Sequence, residues 1–373
     1  MKITRIGRAG SVAVVAALAL AACGSASNDT NTSAAPGGTG TGTGGGASDC
    51  FTGTLKGEGS TAQGNAMDQA IASFGQKCSG AKVSYNGTGS GAGVTAFIAK
   101  NADFAGSDSA LNADKGEPDK AKAACGSEAW NIPMVTGPIA VAFNVKGVDK
   151  LNLTASTIAK IFSGAITKWN DPEIAKENSG VSLPDTAISV FFRSDSSGTT
   201  DNFTKYLNTA AKADWPAEHS KSWTGKVGQG KAKSAGVSQA VASTDGGIGY
   251  VEWSYAITNN LKMASVDNGS GPVELTADSA GKAVAAAKID GSGNDLKLKL
   301  DYATKEAGAY PIILVTYEIV CSKYPNASTG SAVKAFLSYM ASNDFQSTLT
   351  KVGSAPLPTD IQSKVQTAVA AIS

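Results

Sequence analysis

The sequence predicts an α/β architecture divided into two domains, and three observations carry that prediction. Short β-rich runs alternate with segments whose apolar residues recur at helical spacing. The stretch 49–373 is too long for one small hydrophobic core. Two long apolar strands, 132–144 and 310–320, lie well over a hundred residues apart, as strands shared between two lobes would.

The strand candidates are 82–85, 103–105, 132–144, 188–193, 248–252 and 312–320. Between them Met67, Ala70, Ile71 and Phe74 recur at helical spacing, as do Val94, Phe97 and Ile98, then Phe203, Tyr206 and Leu207. Pro133, Pro138 and Pro311 argue that neither long strand is a plain central strand throughout. A strand pair running between lobes makes the first domain discontinuous, 49–135 plus 311–373, with 136–310 as the second.

The start of the chain reads as an address. Lys2, Arg5 and Arg8 precede an apolar run that ends at Leu20-Ala21-Ala22-Cys23. That run is shorter than the roughly 20 residues that cross a bilayer as a helix, so 1–22 is expected to be a cleaved signal peptide. The small residues before Cys23 look like a lipobox, which implies a lipid (palmitate) anchor on its sulfur. After Cys23, residues 24–48 are almost entirely Gly, Ser, Thr, Ala and Asn with no apolar period, so 23–48 has the composition of a flexible tether.

Hydrophobic residues make up 42% of the chain and charged residues 17%, with a formal net charge of +1, so neither disorder nor a nucleic-acid-binding surface is indicated. Cys50, Cys78, Cys125 and Cys321 contain no Cys-x-x-Cys spacing, and in an exported domain they suit disulfides better than metal. Three pairings are open to them. Cys50 with Cys78, flanking one helix-strand unit, and Cys125 with Cys321, beside the two long strands, are the pairs expected.

Three segments carry chemistry, each leading from a strand through Gly, Ser and Thr into an amphipathic helix. They are Gly57-Glu58-Gly59-Ser60-Thr61-Ala62, Gly87-Thr88-Gly89-Ser90-Gly91-Ala92-Gly93 and Arg193-Ser194-Asp195-Ser196-Ser197-Gly198-Thr199-Thr200. The first amides of a helix lack intrahelical partners and carry the positive end of its dipole, so they point donors at an anion. Taken singly, each loop also reads as an ordinary cap. Arg193 adds a planar fork suited to a tetrahedral oxyanion, and Asp195 is placed to orient it.

Asp108 stands out in such a pocket, because a carboxylate only accepts. Opposite an oxyanion that keeps a proton it receives a hydrogen bond; opposite a fully deprotonated one it repels. Phosphate keeps a proton near neutral pH and sulfate does not, so Asp108 would select phosphate. It reads equally well as the N-cap of a helix beginning near Leu111. Lys168-Trp169-Asn170-Asp171-Pro172-Glu173 reads as a helix start, with Asp171 the cap. Gly87-x-Gly89-x-x-Ala92 mimics a dinucleotide fingerprint but lacks its third glycine.

Together these segments, with Gly247-Ile248-Gly249-Tyr250-Val251-Glu252 and Tyr310-Pro311-Ile312, resemble the substrate-binding proteins of bacterial ABC-type phosphate importers over essentially the whole stretch after the tether. The resemblance implies a type II periplasmic-binding-protein fold, each lobe a mixed sheet flanked by helices and the lobes joined by two hinge strands, with phosphate dehydrated in the cleft. It implies donors from Ser60, Thr61, Ala62 and Ser90, an acceptor at Asp108, and further contacts from Arg193, Ser197, Gly198 and Thr199, with Asp195 behind Arg193. At Ala62 the family commonly has phenylalanine. It also implies a monomer with no metal, cofactor or catalysis, docking on membrane permease subunits at the outer face of the cytoplasmic membrane. The alternatives are a receptor for another oxyanion, or a phosphatase using Ser90 or Ser197. The single histidine, His219, lies in a polar stretch far from either loop in sequence and reads as a solvated surface residue, which leaves such a serine without an evident base.

Overall fold

The computed structural model describes residues 50–373. The signal, tether and lipidation expectations at 1–49, Cys23 included, lie outside the described residues. The strands in chain order are β1 (Gly53–Gly59), β2 (Ala81–Gly87), β3 (Phe104–Ser107), β4 (Ala129–Asn144), β5 (Asn152–Thr154), β6 (Ser189–Arg193), β7 (Gln229–Lys231), β8 (Gly247–Glu252), β9 (Lys262–Met263), β10 (Ser265–Asp267), β11 (Pro272–Val273), β12 (Lys288–Ile289), β13 (Leu298–Lys299) and β14 (Ile313–Cys321). A nine-stranded mixed sheet runs β2-β1-β3-β14-β4-β8-β6-β7, with β9 also on β4. β11, β10 and β5 form a small sheet, and β12 and β13 pair antiparallel.

The two long strands organise this sheet. β4 pairs antiparallel with β14 over residues 129–138, then exchanges partners and pairs with β8 over 139–144. Its prolines fall where the ladder tolerates them: Pro133 sits beside the register shift between Thr316 and Tyr317, and Pro138 stands at the handover from β14 to β8. Pro311 precedes β14.

β4 and β14 are buried along nearly their whole length because both of their ends enter a core. Ile132, Met134, Val135, Ile319 and Val320 join one core, which holds Phe74, Phe104, Phe336 and Val365. Ile139–Phe143, Ile312 and Leu314 join the other, with Phe162, Trp169, Phe203 and Tyr250. Continuous apolar runs are what a strand covered on both faces requires.

Helices α1 (Gly64–Lys77), α2 (Ser90–Ile98) and α3 (Glu117–Cys125) follow β1, β2 and β3. α1 buries Met67, Ala70 and Phe74, the spacing read from the sequence. Helices α4 (Ala155–Ser163), α5 (Pro172–Glu177), α6 (Gly198–Ala210) and α7 (Lys233–Ser243) belong to the second half. Asp171 caps α5, accepting the Glu173 amide at 2.9 Å, and Trp169 is buried with its indole N–H on the Gly246 carbonyl at 3.1 Å.

β1 is expected from the sequence only as the strand leading into the first loop, without bounds, although it lies between β2 and β3. Its sequence, GTLKGEG, lacks an apolar alternation because its neighbours need backbone there. A Cβ on Gly57 would stand 2.3 Å from the Phe104 ring, so a core phenylalanine occupies the space a side chain would take.

Cys50 pairs with Cys78 and Cys125 with Cys321, as expected. The second bridge closes 196 residues and ties the end of β14 to the helix entering β4, whereas the first closes 28. Since loop-closure entropy grows with the logarithm of loop length, replacing Cys125 and Cys321 by serine should lower the unfolding free energy by roughly 2 kcal/mol more than replacing Cys50 and Cys78. Urea unfolding of the two double variants measures this, and equal losses would show that loop length does not govern the effect.

Candidate functional site

The loops after β1, β2 and β6 converge on Asp108, at the end of β3. Asp108 is buried, and three hydroxyls surround its carboxylate: Ser60 Oγ donates to Oδ1 at 2.5 Å, Thr316 Oγ1 to Oδ1 at 2.8 Å, and Ser90 Oγ reaches Oδ2 at 3.3 Å. No helix begins near Leu111, since α3 starts at Glu117, so Asp108 is no helix cap. Burial raises its pKa, while the hydroxyls of Ser60 and Thr316 and the charge of Arg193 oppose that rise. The carboxylate is therefore held by hydroxyl donors in a buried site that also feels a guanidinium.

From the other side, α6 brings its first turn against the same aspartate. Gly198 N–H donates to Ser90 Oγ at 3.2 Å, and a Cβ on Gly198 would meet Asp108 Cβ at 2.5 Å and Oδ2 at 2.8 Å. Only glycine permits that approach. Ser197 caps α6, accepting the Thr200 amide at 3.2 Å. Thr199 is buried with its hydroxyl unpartnered. A buried hydroxyl without a partner at a helix N-terminus is a donor available to a ligand.

Arg193 ends β6 almost completely buried. Its Nε donates to Asp195 Oδ1 at 2.8 Å, one terminal nitrogen makes a second, short bond to Asp195 Oδ2, and the other donates to Ser234 Oγ at 3.3 Å. Asp195 also accepts the Lys233 amide at 2.9 Å. Burial works to raise the Asp195 pKa, but the bonds and charge of Arg193 overcome it and hold the carboxyl below its ordinary value. The fork is thus fixed from behind, leaving its remaining N–H groups for whatever lies in front.

Thr61 Oγ1 and Ser234 Oγ share a hydrogen bond of 2.8 Å, joining the first loop to the Arg193 side. The Ala62 amide is engaged locally by Ser60 Oγ at 3.0 Å, and its methyl packs in the second core.

Ser60, Thr61, Ser90, Asp108, Arg193, Ser197, Gly198 and Thr199 therefore lie in one buried cluster, with Asp195 behind it. The chain matches the PBP superfamily domain over residues 31–344. It is 50% identical to phosphate-binding protein PstS 2 of Mycobacterium tuberculosis, the match covering 86% of this chain and 87% of that one. The chain belongs to the PstS family of phosphate-binding proteins. It is also 46% identical to phosphate-binding protein PstS 3 of Mycobacterium leprae, with 86% of this chain and 87% of the relative covered. Among solved structures, it is similar to a high affinity periplasmic phosphate-binding protein bound with phosphate at pH 8.5, at 25% identity and a TM-score of 0.68, over 84% of this chain and 93% of that one. The two-lobed periplasmic-binding-protein architecture expected from the sequence is the fold of this PstS-family chain.

Five residues in or beside the cluster escaped the sequence reading. Thr316 is a polar residue inside the apolar run of β14, and Ser234 follows Gly228-Gln229-Gly230-Lys231, another strand leading into a helix. That repeats the grammar of the other three loops and was readable. Lys233 adopts φ +62°, a left-handed conformation costly for a lysine, where the chain turns to present its amide to Asp195. Tyr250 accepts the Arg193 amide at 3.1 Å and shares a 2.7 Å bond with Thr200, and Asn202 donates to the Asp108 carbonyl at 2.6 Å; a buried tyrosine and a helical asparagine carry no such sign in sequence. His219 is exposed, as the sequence suggests, but it does not stand away from the third loop: its ring bonds Asp201 Oδ1 at 2.7 Å, and Asp201 lies in the first turn of α6. The polar stretch folds back on the helix that the third loop starts.

Behind Asp108 two more acids are buried. Glu318, two strand positions from Thr316, is pushed up to about 8 by burial, with Gln63 opposing and Asp108 adding to the shift. Glu252 is raised as well, by burial above all. A carboxyl raised to about 8 keeps its proton in the folded chain, while the unfolded chain releases it near 4.5, so the folded state binds more protons across that window. The contribution of Glu318 to stability is fully present below about 4.5, falls as pH rises and is lost above about 8. Glu318→Gln, which imitates the protonated acid, should flatten the decline of Tm between these limits in thermal unfolding; a parallel decline in both proteins would assign the pH dependence elsewhere.

Proposed function

We propose that this protein binds inorganic phosphate in the cleft between its lobes and delivers it to an ABC-type phosphate importer. The observation that carries this reading is the pairing of a buried acceptor with buried donors: Asp108 stands across the cluster from the Arg193 fork, the unpartnered Thr199 hydroxyl and the first turn of α6. An anion held by these donors with its proton directed at Asp108 is a protonated oxyanion, and phosphate near neutral pH is one. The relatives named phosphate-binding proteins and the similar structure bound with phosphate support the same reading.

The contacts we assign are Ser60, Thr61, Ala62, Ser90, Asp108, Arg193, Ser197, Gly198 and Thr199, with Asp195 positioning Arg193. We place the lobes at 49–135 plus 311–373 and at 136–310, with β4 and β14 as the strands between them. Release of phosphate then requires the two walls to separate, since Gly198 and Ser90 belong to opposite sides. Ligand favours the closed arrangement through contacts to both sides, which the open one cannot make together. No catalytic role is assigned to Ser90 or Ser197: each hydroxyl already caps, accepts or faces Asp108, and none has a basic partner.

Calorimetry with the full chain should show binding of phosphate and none of sulfate. Asp108→Asn should narrow that difference by replacing a pure acceptor with a group that also donates. Arg193→Lys should weaken phosphate about tenfold or more, because a lysine keeps the charge but loses the bidentate fork. Comparable heats for both anions in the unaltered protein would overturn the reading.

We also propose export behind a signal peptide, 1–22, and lipid anchoring at Cys23 on the outer face of the cytoplasmic membrane, with 23–48 as tether, a monomeric binding domain and docking on the importer's permease subunits. The basic start and the Leu20-Ala21-Ala22-Cys23 sequence support the anchor. Cys23→Ser should move the protein from the membrane fraction to the soluble extracytoplasmic fraction; unchanged membrane association would exclude the thioether anchor.

A further inference from the structure

Asp108 has a second neighbourhood. On the side of Ser109 and Asn202 a cavity of about 860 Å³ opens between α6, the 219–221 segment and the β12–β13 hairpin. Lys115, Lys205, Lys221, Lys288 and Lys299 all line it. Lys221 is the decisive member. It is only 7% exposed, and its ammonium has no hydrogen-bond partner. A buried ammonium is costly unless an anion pairs with it.

The acids nearby do not supply that anion. Asp201 is already engaged by His219 at 2.7 Å and by Ser109 Oγ at 2.6 Å, and Asp108 by its three hydroxyls. Asp301 accepts the Ala303 amide at 3.0 Å, Glu117 accepts the Asn112 amide at 2.7 Å, and Asp290 also lines the cavity, but none of the three hydrogen-bonds the Lys221 ammonium. The hairpin repeats the demand for negative charge from the facing wall, because Lys288 and Lys299 stand directly opposite one another in its two-residue ladder. Like charges in that position repel and destabilise the pair unless something negative sits against them.

We propose that this cavity is a second anion site, on the far side of Asp108 from the Arg193 fork, which takes a condensed inorganic phosphate of pyrophosphate or tripolyphosphate size. Size and charge distribution select this class. A volume of about 860 Å³ suits a multi-group ligand rather than a single tetrahedral ion. The cations come from separate elements: Lys205 from α6, Lys221 from the segment after it, and Lys288 and Lys299 from the hairpin. A chain of linked phosphoryl groups reaches several of them at once, with one end at Lys221. The Lys221 carbonyl accepts the Ser197 amide at 2.8 Å, so the backbone that supports the third loop also fixes the root of this side chain.

The site does not depend on the orthophosphate reading, and its test keeps the two apart. Tripolyphosphate is titrated calorimetrically into the full chain saturated with orthophosphate, and in parallel into the ligand-free chain, with glucose 6-phosphate as the organic phosphate arm. Binding of tripolyphosphate to the saturated protein is expected. It should weaken about tenfold in Lys221→Met, which keeps the buried stem, and comparably in the exposed double variant Lys288→Gln/Lys299→Gln, whose folding is not at risk. Orthophosphate affinity should be unchanged in both variants. The proposal fails if tripolyphosphate gives no heat in either titration, if it only competes with orthophosphate, if glucose 6-phosphate binds as tightly, or if both variants bind tripolyphosphate as the parent does. Failure of orthophosphate to bind would instead remove the cleft reading and leave the ligand-free titration to decide this one.

Discussion

The antiparallel pairing of β4 with β14 is the interaction on which the rest of the molecule depends. Those two strands supply apolar side chains to both cores, and β14 also fills the space between β3 and β4 in the large sheet. Their ladder therefore joins the two cores. It places Thr316 as well, because Tyr317 and Ser107 are in register across β14 and β3, and Asp108 follows at once. The charge chemistry of the site is thus anchored in the hinge strands, while the loops that close over it are carried by the lobes.

Around that anchor the electrostatics follow a division of labour. Arg193 is fixed by Asp195 in a pair that would satisfy itself with no ligand, and the low pKa of Asp195 reflects that. Asp108 is fixed by hydroxyls, which are neutral and leave it a carboxylate under pressure to gain a proton. A protonated oxyanion between them completes both ends. Swapping the supports, with a cation behind Asp108 and hydroxyls behind Arg193, would remove the pressure on Asp108 to gain a proton.

Much of this was legible in the sequence, and the reasons differ by residue. The long strands were visible because burial on both faces demands uninterrupted apolar character, and their prolines marked the register shift and the change of partner. The three loops were visible because close backbone approach demands glycine and capping demands serine or threonine. The extent of β1 was hidden by the same physics, since Gly57 yields to Phe104 and Gly59 to the Gly106 backbone, leaving no alternation to detect. Ser234 was readable as a fourth loop of the same kind but lacks the neighbouring arginine that drew notice to the third. Tyr250, Asn202 and His219 join the site or its surroundings only through tertiary contact, which no local pattern records. Family resemblance supplied what pattern could not, namely that these separate loops meet.

The place of β14 has a consequence for how the chain acquires its fold. It is a late strand in sequence, yet it sits in the interior of the sheet, hydrogen-bonded to strands from the first part of the described chain on both sides. Until residues 313–321 arrive, β3 and β4 each present an unpaired edge, and Asp108 lacks Thr316. Pairings between such distant segments carry a large loop-closure entropy and form slowly. The nascent polypeptide must therefore remain incompletely assembled, with sticky edges exposed, until nearly all of it is available, and no amino-terminal fragment ending before β14 possesses the complete pocket.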